Sequence, residues 1–320
     1  MKILIIGGTQ FIGPFVVKLL QQQGHEIILF NRGKTPYSFP FEVKSIIGDR
    51  TKLSTYKQQL QALQPDIVID MIPYSEHDAQ EVGNTFAGLI KRLVVVSSCD
   101  VYQAYDRLWN VITGNIITTP MKENAALRNH FYPYRKVSTK IDDWTYHYDK
   151  IHVENIIRSY PNIESTILRL PMVYGPGDYW RIDPYLKQMD AGKSIMLDEQ
   201  KANWRVTRGY VEDIAYAIVL SALDQRSGNK IYNVGEKNAY SESEWIKEIG
   251  YYADWHHQLI KVPMEQLPVS LQEPTLEFKQ DLILDTALIR KELHYKELTQ
   301  HNMAMQRSID WLRKKTSIYQ

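Results

Sequence analysis

Two residues whose types and spacing could support proton transfer lie near the middle of the 320-residue chain, Tyr146 and Lys150. Four positions apart on a helix, they would share one face, one turn above the other. An ammonium beside a phenol favours the phenolate and lowers a pKa that starts at about 10, which moves the hydroxyl towards proton transfer at neutral pH. Tyr148 is the competing tyrosine, on another face of the same helix. In a chain with 21 tyrosines, the pair indicates a general acid/base only if other motifs support it.

A glycine-rich turn at the start of the chain has a second chemical use. The strand-forming run Lys2 to Ile6 leads into the turn, and a helix follows from Phe15 to Gln23. Glycine lets a phosphate approach the backbone closely, and the N–H groups at the helix start would face a pyrophosphate. This first strand–helix connection, followed by a second strand that ends at Asn31, predicts a dinucleotide site, with a plain tight turn as the alternative. The turn consists of Gly7, Gly8, Thr9, Gln10, Phe11, Ile12 and Gly13.

The residues after the second and third predicted strands indicate which dinucleotide binds. An NAD site would place an acidic side chain after the second strand, but this chain has Asn31 and Arg32. A guanidinium can form bidentate hydrogen bonds with a 2′-phosphate, and Asn31 removes a carboxylate that would repel it. NADP(H) is therefore predicted in preference to NAD(H), with a solvated loop charge as the alternative for Arg32. Asp49 and Arg50 are expected to face the adenine, with a plain turn as the alternative.

Composition narrows the class of protein. Lys+Arg 38 against Asp+Glu 37 gives a net charge of +1, so no overall basic field attracts nucleic acid or an anionic membrane. No apolar run approaches the roughly 18 residues of a spanning helix, and the single cysteine, Cys99, cannot form an internal disulfide. Adjacent His256 and His257 point apart on a helix, so no metal site is predicted. We expect a soluble, cytoplasmic protein with a small-molecule substrate.

The elements that must position these residues alternate between apolar strands and amphipathic helices. This pattern predicts an α/β fold, a Rossmann-type doubly wound parallel sheet with a smaller, interleaved C-terminal substrate region. Residues 1–172 and 208–236 are expected to form the dinucleotide-binding domain, and 173–207 and 237–320 the substrate region. The aperiodic segment Asp106 to Asp143 is expected to be a long connection over the sheet edge that carries function, and a helix is expected from Tyr146 to Arg158.

Several further motifs occur in order along the chain. They are Gly48-Asp49, Ser97-Ser98-Cys99-Asp100-Val101-Tyr102, Pro120 with Glu123-Asn124, Tyr146 with Lys150 and Glu154, Arg169 to Gly177, Arg208 to Asp213 and Tyr232 to Gly235. Together with the glycine turn they resemble the extended and atypical branches of the short-chain dehydrogenase/reductase superfamily, in particular the NAD-dependent epimerase/dehydratase family. The Gly-Gly-Thr-x-Phe-Ile-Gly and Phe-Asn-Arg-Gly-Lys phrases are most similar to the atypical subgroup that includes chloroplast stem-loop RNA-binding proteins.

The resemblance implies roles for particular side chains. Tyr146 would be the general acid/base, Lys150 would also hold the nicotinamide ribose, and Ser98 would hydrogen-bond the reacting hydroxyl or carbonyl. Asp100 is a further candidate acid or base, with a strand-end turn cap as the alternative. Other residues are assigned by their place in the motifs: Pro171 and Val173 to the cofactor; Ser98, Tyr174, Arg205 and Arg208 to the substrate, with Arg208 at the position that contacts the diphosphate of a nucleotide sugar.

The predicted function is hydride transfer. The chain would be an NAD(P)-dependent oxidoreductase or epimerase/dehydratase that acts on a secondary alcohol of a sugar-like substrate, with a nucleotide sugar as the leading class. The alternative is a non-catalytic protein of the same fold that binds RNA or senses the cofactor. A homodimer, common in the family, is left open. Gln10 replaces the middle glycine of the family turn, where its side chain either crowds the pyrophosphate or points away.

Overall fold

A parallel sheet of apolar strands forms the centre of the protein. The computed structural model describes residues 1–35, 37, 39–136, 138, 140–141 and 143–318. Its strands are β1 (Lys2–Ile6), β2 (Glu26–Asn31), β3 (Lys44–Ile47), β4 (Ile67–Asp70), β5 (Arg92–Ser98), β6 (Glu164–Leu170), β7 (Met172–Tyr174), β8 (Ile195–Asp198), β9 (Arg208–Tyr210), β10 (Lys230–Asn233) and β11 (Leu259–Val262). Within the described residues, seven of them form one parallel sheet in the order β10-β6-β5-β4-β1-β2-β3.

Helices cover both faces of this sheet. They are α1 (Ile12–Gln22), α2 (Lys57–Ala62), α3 (Glu76–Phe86), α4 (Gln103–Leu108), α5 (Lys150–Arg158), α6 (Asp183–Asp190), α7 (Glu199–Asn203), α8 (Val211–Leu223), α9 (Glu242–Tyr252), α10 (Ala287–Leu293) and α11 (His301–Ile318). Alternate residues of β1 enter different cores: Ile3 and Ile5 pack with α1 and α8, and Leu4 and Ile6 pack with α3 and α5. The predicted doubly wound Rossmann-type sheet is therefore confirmed.

The chain after β6 adds two short strand pairs. β7 pairs with β9, and β8 pairs with β11, while β10 returns to the edge of the main sheet beside β6. The division into 1–172 with 208–236 and 173–207 with 237–320 stays a prediction. None of the helices described here is long and apolar enough to cross a membrane.

Two helices near the site differ from the sequence prediction. The helix expected from Tyr146 begins only at Lys150, because Asp149 adopts an extended backbone and its side chain caps the helix by accepting from the Ile151 N–H. The polar helix α3 was missed, although Ser75 and Asp78 form a capping box at its start. Of the predicted connection Asp106 to Asp143, positions 137, 139 and 142 lie outside the described residues.

Candidate active site

The glycine turn between β1 and α1 has the backbone shape that a pyrophosphate requires. Gly7 and Gly8 have φ values of 99° and 93°, a region that disfavours other residues. A Cβ on Gly13 would lie 2.5 Å from the Gly8 Cα, so the start of α1 packs directly on the turn. The turn therefore leaves room for phosphate oxygens beside the backbone N–H groups, and it fits a dinucleotide.

The Gln10 side chain does not fold back over this turn. Its amide Nε2 donates to the Thr35 hydroxyl at 2.7 Å, in the loop that follows β2. Of the two alternatives for this position, the structure shows the side chain directed to the neighbouring loop. Gln10 thereby links two walls of the cleft described next.

An open cleft of about 1150 Å³ runs along the carboxyl ends of the strands. Its walls are the glycine turn, the residues after β2, β3 and β4, and part of the connection before α5. The side chains and backbone that line it include Gly7, Gly8, Thr9, Gln10, Phe11, Ile12, Asn31, Arg32, Asp49, Arg50, Tyr74, Tyr132, Ile141, Trp144 and His147. The cleft joins the predicted turn to the residues predicted to select the dinucleotide, as expected where a doubly wound sheet binds ligands.

The Arg32 guanidinium is exposed at the cleft, whereas the Arg50 guanidinium is buried in ion pairs. Arg32 is exposed at the cleft, and its side chain has no hydrogen bond or ion pair within the described part of the chain. Arg50 is buried: Nη2 lies 3.1 Å from Asp70 Oδ2, and Nε lies 3.2 Å from Asp78 Oδ1. The expected contact of the Arg50 charge with adenine is thus replaced by an internal clamp between β4 and α3. Asp49 caps the turn after β3 by accepting from the Thr51 N–H at 3.0 Å.

Tyr146 does not share a helix face with Lys150. It lies in the short 3₁₀ turn Trp144–His147, half-buried, and its ring is 4.9 Å from the Arg135 guanidinium. The geometric reason for pairing Tyr146 with Lys150 is therefore wrong, because the Asp149 cap separates the turn from α5.

Tyr148, the competing tyrosine, is buried and contacts Asp100. Its side chain is 6% exposed, and its hydroxyl donates to Asp100 Oδ2 at 2.8 Å. Burial raises the pKa of Tyr148 well above its usual value, the Asp100 charge raises it further, and the Ser98 side chain opposes the rise. The phenolate form is consequently disfavoured, which is the reverse of the expectation for a tyrosine beside a lysine.

Asp100 is a buried acid with an incomplete set of partners. Its Oδ2 accepts from Tyr148 and, at 3.1 Å, from Tyr134, whereas its Oδ1 has no hydrogen-bond partner in the described structure. Burial raises the pKa of Asp100, although the Arg128 charge and the tyrosine hydrogen bonds oppose this. The turn after β5 is capped by Ser98 and not by Asp100, because the Ser98 hydroxyl accepts from the Asp100 N–H at 3.2 Å.

Lys150 lies beneath this cluster at the start of α5. Its Nζ donates to the carbonyls of Pro73 at 2.7 Å and Val96 at 2.9 Å, and burial lowers the pKa of Lys150 to about 8. Lys150 is not among the described residues that line the cleft, and its Nζ is 5.1 Å from the ring centre of Tyr74, which does line it, and 5.6 Å from that of Tyr148. Because the Tyr74 and Trp144 rings, 4.5 Å apart, line the cleft, the cleft and the buried cluster share a wall.

The residues predicted to bind substrate do not meet at this cleft. The Arg208 guanidinium is buried against the Glu242 carboxylate and donates to the Tyr240 carbonyl at 3.1 Å. Arg205 lies 3.5 Å from Glu244. The predicted substrate residue Tyr174 is buried and donates to Glu236 at 2.8 Å, and the predicted cofactor residues Pro171 and Val173 are also buried. Sequence reasoning missed Glu242, which neutralises Arg208 from the first turn of α9.

The chain matches one known protein family over most of its length. The family described as the NAD dependent epimerase/dehydratase family matches residues 3–235. The chain belongs to this family. The resemblance seen in its motifs is thereby confirmed.

Two proteins similar to this chain have names that describe different functions. The chloroplast stem-loop binding protein of 41 kDa b from Arabidopsis thaliana is 26% identical over 254 residues, which is 74% of this chain and 59% of that protein. The chain thus spans less than two thirds of that relative's length. The 2'-dehydrokanamycin reductase of Streptomyces kanamyceticus is 22% identical over 282 residues, 85% of this chain and 72% of the reductase.

Solved structures share the fold over nearly the whole chain. UDP-glucose 4-epimerase from Thermotoga maritima, solved with UDP-glucose, has a TM-score of 0.72 and 15% identity, covering 99% of this chain and 100% of that one. UDP-glucose 4-epimerase from Thermus thermophilus, solved with NAD, has a TM-score of 0.71 and 16% identity, covering 98% and 99%. At this identity the likeness shows the fold.

Proposed function

We propose that the chain is an NAD(P)-dependent oxidoreductase or epimerase/dehydratase that acts on a secondary alcohol of a sugar-like substrate, with Tyr148 in place of Tyr146 as the proton-transfer residue. The observation that carries the proposal is the 2.8 Å hydrogen bond from the buried Tyr148 hydroxyl to Asp100, beside the wall of the cleft. Family membership and the names of the reductase and epimerase relatives support the reaction class.

The cleft supplies the groups that would hold the dinucleotide. The backbone N–H groups at Gly7, Gly8 and the start of α1 would bind the pyrophosphate, and Arg32 would bind a 2′-phosphate. When bound, the nicotinamide accepts or donates the hydride. Ser98, half-buried at the end of β5, would donate a hydrogen bond to the substrate oxygen.

Tyr148 and Asp100 would move the proton as a pair. When the alcohol is oxidised, its O–H bond breaks and the proton passes to the Tyr148 oxygen, while Tyr148 releases its own proton to Asp100 Oδ2. Reduction reverses both transfers. A phenolate never accumulates, which suits a buried tyrosine whose pKa is raised by burial and by Asp100. The raised pKa of Asp100 allows it to keep the proton until the return step.

The proposal is tested by removing each tyrosine hydroxyl separately. With a panel of ketosugars and sugar alcohols, free and nucleotide-linked, turnover is followed by reduced-cofactor absorbance. Tyr148→Phe is expected to lower kcat by on the order of 10²-fold or more, since it removes a proton-transfer group. Tyr146→Phe is the matched control and should remain within about twofold of the parent. Full turnover by Tyr148→Phe, or an inactive Tyr146→Phe, would refute the assignment.

The proposed preference for NADP(H) rests on Arg32, which is exposed at the cleft and has no hydrogen bond or ion pair to the side chains that the structure describes. Arg32→Ala should lower the ratio of NADPH to NADH affinity about tenfold, because a charge-assisted contact to the 2′-phosphate contributes roughly 1.5 kcal/mol or more. Lys34→Ala, two residues along the same exposed loop, is the control. Nicotinamide fluorescence titrations measure both affinities. An unchanged ratio in Arg32→Ala would mean that NAD(H) is the cofactor or that another group selects it.

RNA binding is the second candidate function, favoured by the chloroplast stem-loop binding protein among the relatives. The net charge of +1 provides no overall basic field for it. Binding of a structured RNA that weakens steeply with salt, together with absent cofactor binding and absent turnover, would favour it over the enzyme.

A further inference from the structure

A line of hydrogen-bonded tyrosine hydroxyls extends from Asp100 through Tyr134 to Tyr105. The Tyr134 hydroxyl donates to Asp100 Oδ2 at 3.1 Å and lies 2.9 Å from the Tyr105 hydroxyl. Asp100 is 3% exposed and Tyr148 is 6% exposed, whereas Tyr134 and Tyr105 are half-buried. The line therefore begins at the buried acid and ends in partly exposed side chains.

Tyr134 lies beside Asp100 because hydrogen bonds hold the connection before α5 at two points, Asp100 and Asp149. The buried Arg128 donates through Nε to the Asp100 carbonyl, and its Nη2 lies 3.4 Å from Asp149 Oδ1. The Tyr132 N–H donates to the other Asp149 oxygen at 2.6 Å. Since Asp149 caps α5 between Tyr148 and Lys150, the same contacts hold the connection and the reactive residues in register.

We propose that Tyr134 is a positioning residue for Asp100 and that Tyr134 and Tyr105 form the outer part of its proton path. This inference rests on the proposed function. Once Asp100 has received a proton from Tyr148, the described side chains that hydrogen-bond its carboxyl group are Tyr148 and Tyr134. For this proton to leave, the Tyr134 hydroxyl first turns its own proton from Asp100 Oδ2 to the Tyr105 oxygen. The Asp100 proton then passes to the Tyr134 oxygen while Tyr134 releases its proton to Tyr105, and Tyr105 releases its own to water. Each tyrosine gains and loses one proton, so Asp100 returns to the carboxylate and the reaction can repeat.

The first test needs no substrate. Infrared difference spectra across pH follow the protonation of the Asp100 carboxyl, identified as the band that Asp100→Asn removes. Tyr134→Phe deletes a hydrogen bond to the carboxylate form, so the pKa of Asp100 should rise by about one unit. Tyr105→Phe acts only through Tyr134 and should shift it less. Tyr132→Phe, in the same connection, is the matched control and should leave it unchanged.

The second test separates positioning from a merely structural role. With the substrate found in the panel above, Tyr134→Phe should shift the pH profile of kcat in the same direction as the infrared titration and leave KM unchanged. A Tyr134→Phe variant with an unshifted Asp100 pKa, or with a raised KM and an unshifted pH profile, would overturn the inference. The infrared result is independent of the Tyr148→Phe assay, so failure of the proposed function and failure of this inference are distinguishable.

Discussion

Two buried polar clusters lie side by side at the carboxyl end of β5, and they differ in how fully their polar atoms are hydrogen-bonded. We call them the arginine–glutamate cluster, formed by Ser97, Tyr102, Glu154, Arg169 and Asn233, and the aspartate–tyrosine cluster, formed by Asp100, Tyr105, Tyr134 and Tyr148. In the first, Arg169 makes two hydrogen bonds to Glu154, at 3.0 and 2.7 Å. In the second, Asp100 has no Lys or Arg within ion-pair distance of its carboxylate among the residues described.

The arginine–glutamate cluster has the properties of a structural joint. Tyr102 accepts from Arg169 at 3.0 Å and donates to Asn233 at 2.6 Å, and Ser97 donates to Glu154 at 2.6 Å. None of the side-chain atoms of these described residues is buried without a partner. The cluster connects β5, β6, β10 and α5, and burial of its opposite charges is balanced by their mutual hydrogen bonds.

The aspartate–tyrosine cluster instead keeps an acid that is costly to ionise. One Asp100 oxygen has no hydrogen-bond partner among the described residues, and burial raises the pKa of the carboxyl. Buried polar atoms are usually satisfied, and an exception with a perturbed acid beside a cleft is typical of a site for chemistry. The two neighbouring networks thus differ in completeness: the arginine–glutamate cluster connects strands and a helix, and the aspartate–tyrosine cluster is the one proposed to exchange a proton.

The largest expected effect comes from breaking the complete cluster. Glu154→Gln leaves the Arg169 charge buried without its counter-ion, so the free energy of unfolding should fall by about 3 to 5 kcal/mol. Chemical denaturation measures it. The paired replacement Glu154→Leu with Arg169→Met removes both charges and should recover most of the loss. If Glu154→Gln lowered the free energy of unfolding by no more than a surface substitution does, the arginine–glutamate cluster would not be structural.

A smaller effect is expected from Tyr102→Phe in the same cluster. Its hydroxyl satisfies both Arg169 and Asn233, so the free energy of unfolding should fall by about 1 to 3 kcal/mol. Tyr146→Phe, which removes a hydroxyl from a half-buried ring outside both clusters, should change it by less than about 0.5 kcal/mol. Equal losses in the two variants would show that Tyr102 contributes only packing.

The fold and the backbone shape of the glycine turn could be predicted from sequence because they depend on local patterns. Apolar strands and the glycine turn each carry their signal within a few residues. The start of α5 could not be predicted, because it depends on the capping hydrogen bond of Asp149. The four-residue spacing suggested that Tyr146 and Lys150 share a helix face, but the helix begins only at Lys150.

Long-range partners were beyond sequence reasoning for a similar reason. The pairing of Arg208 with Glu242 joins positions 34 residues apart, and Tyr134 meets Asp100 across 34 residues. Motif resemblance assigned Arg208 to a diphosphate, but it carries no information about the carboxylate that faces it. Phe131 to Tyr134 is, in sequence, only an aromatic run that either lines a cleft or packs, and the hydrogen bond to Asp100 is the feature that distinguishes Tyr134.

The most direct test of the proton-acceptor role of Asp100 is the pH dependence of stability in Asp100→Asn against the parent chain. Because the folded pKa of Asp100 is raised, its stabilising contribution is complete below the ordinary carboxyl pKa of about 4 and is lost as pH rises through the folded value. Chemical denaturation at successive pH values should therefore show Asp100→Asn gaining on the parent as pH increases, by about 1.4 kcal/mol for each unit by which the pKa is raised. A difference that is flat or shrinks with pH would mean that Asp100 is held as a stable carboxylate, like a member of a structural joint, and would contradict its role as a proton acceptor.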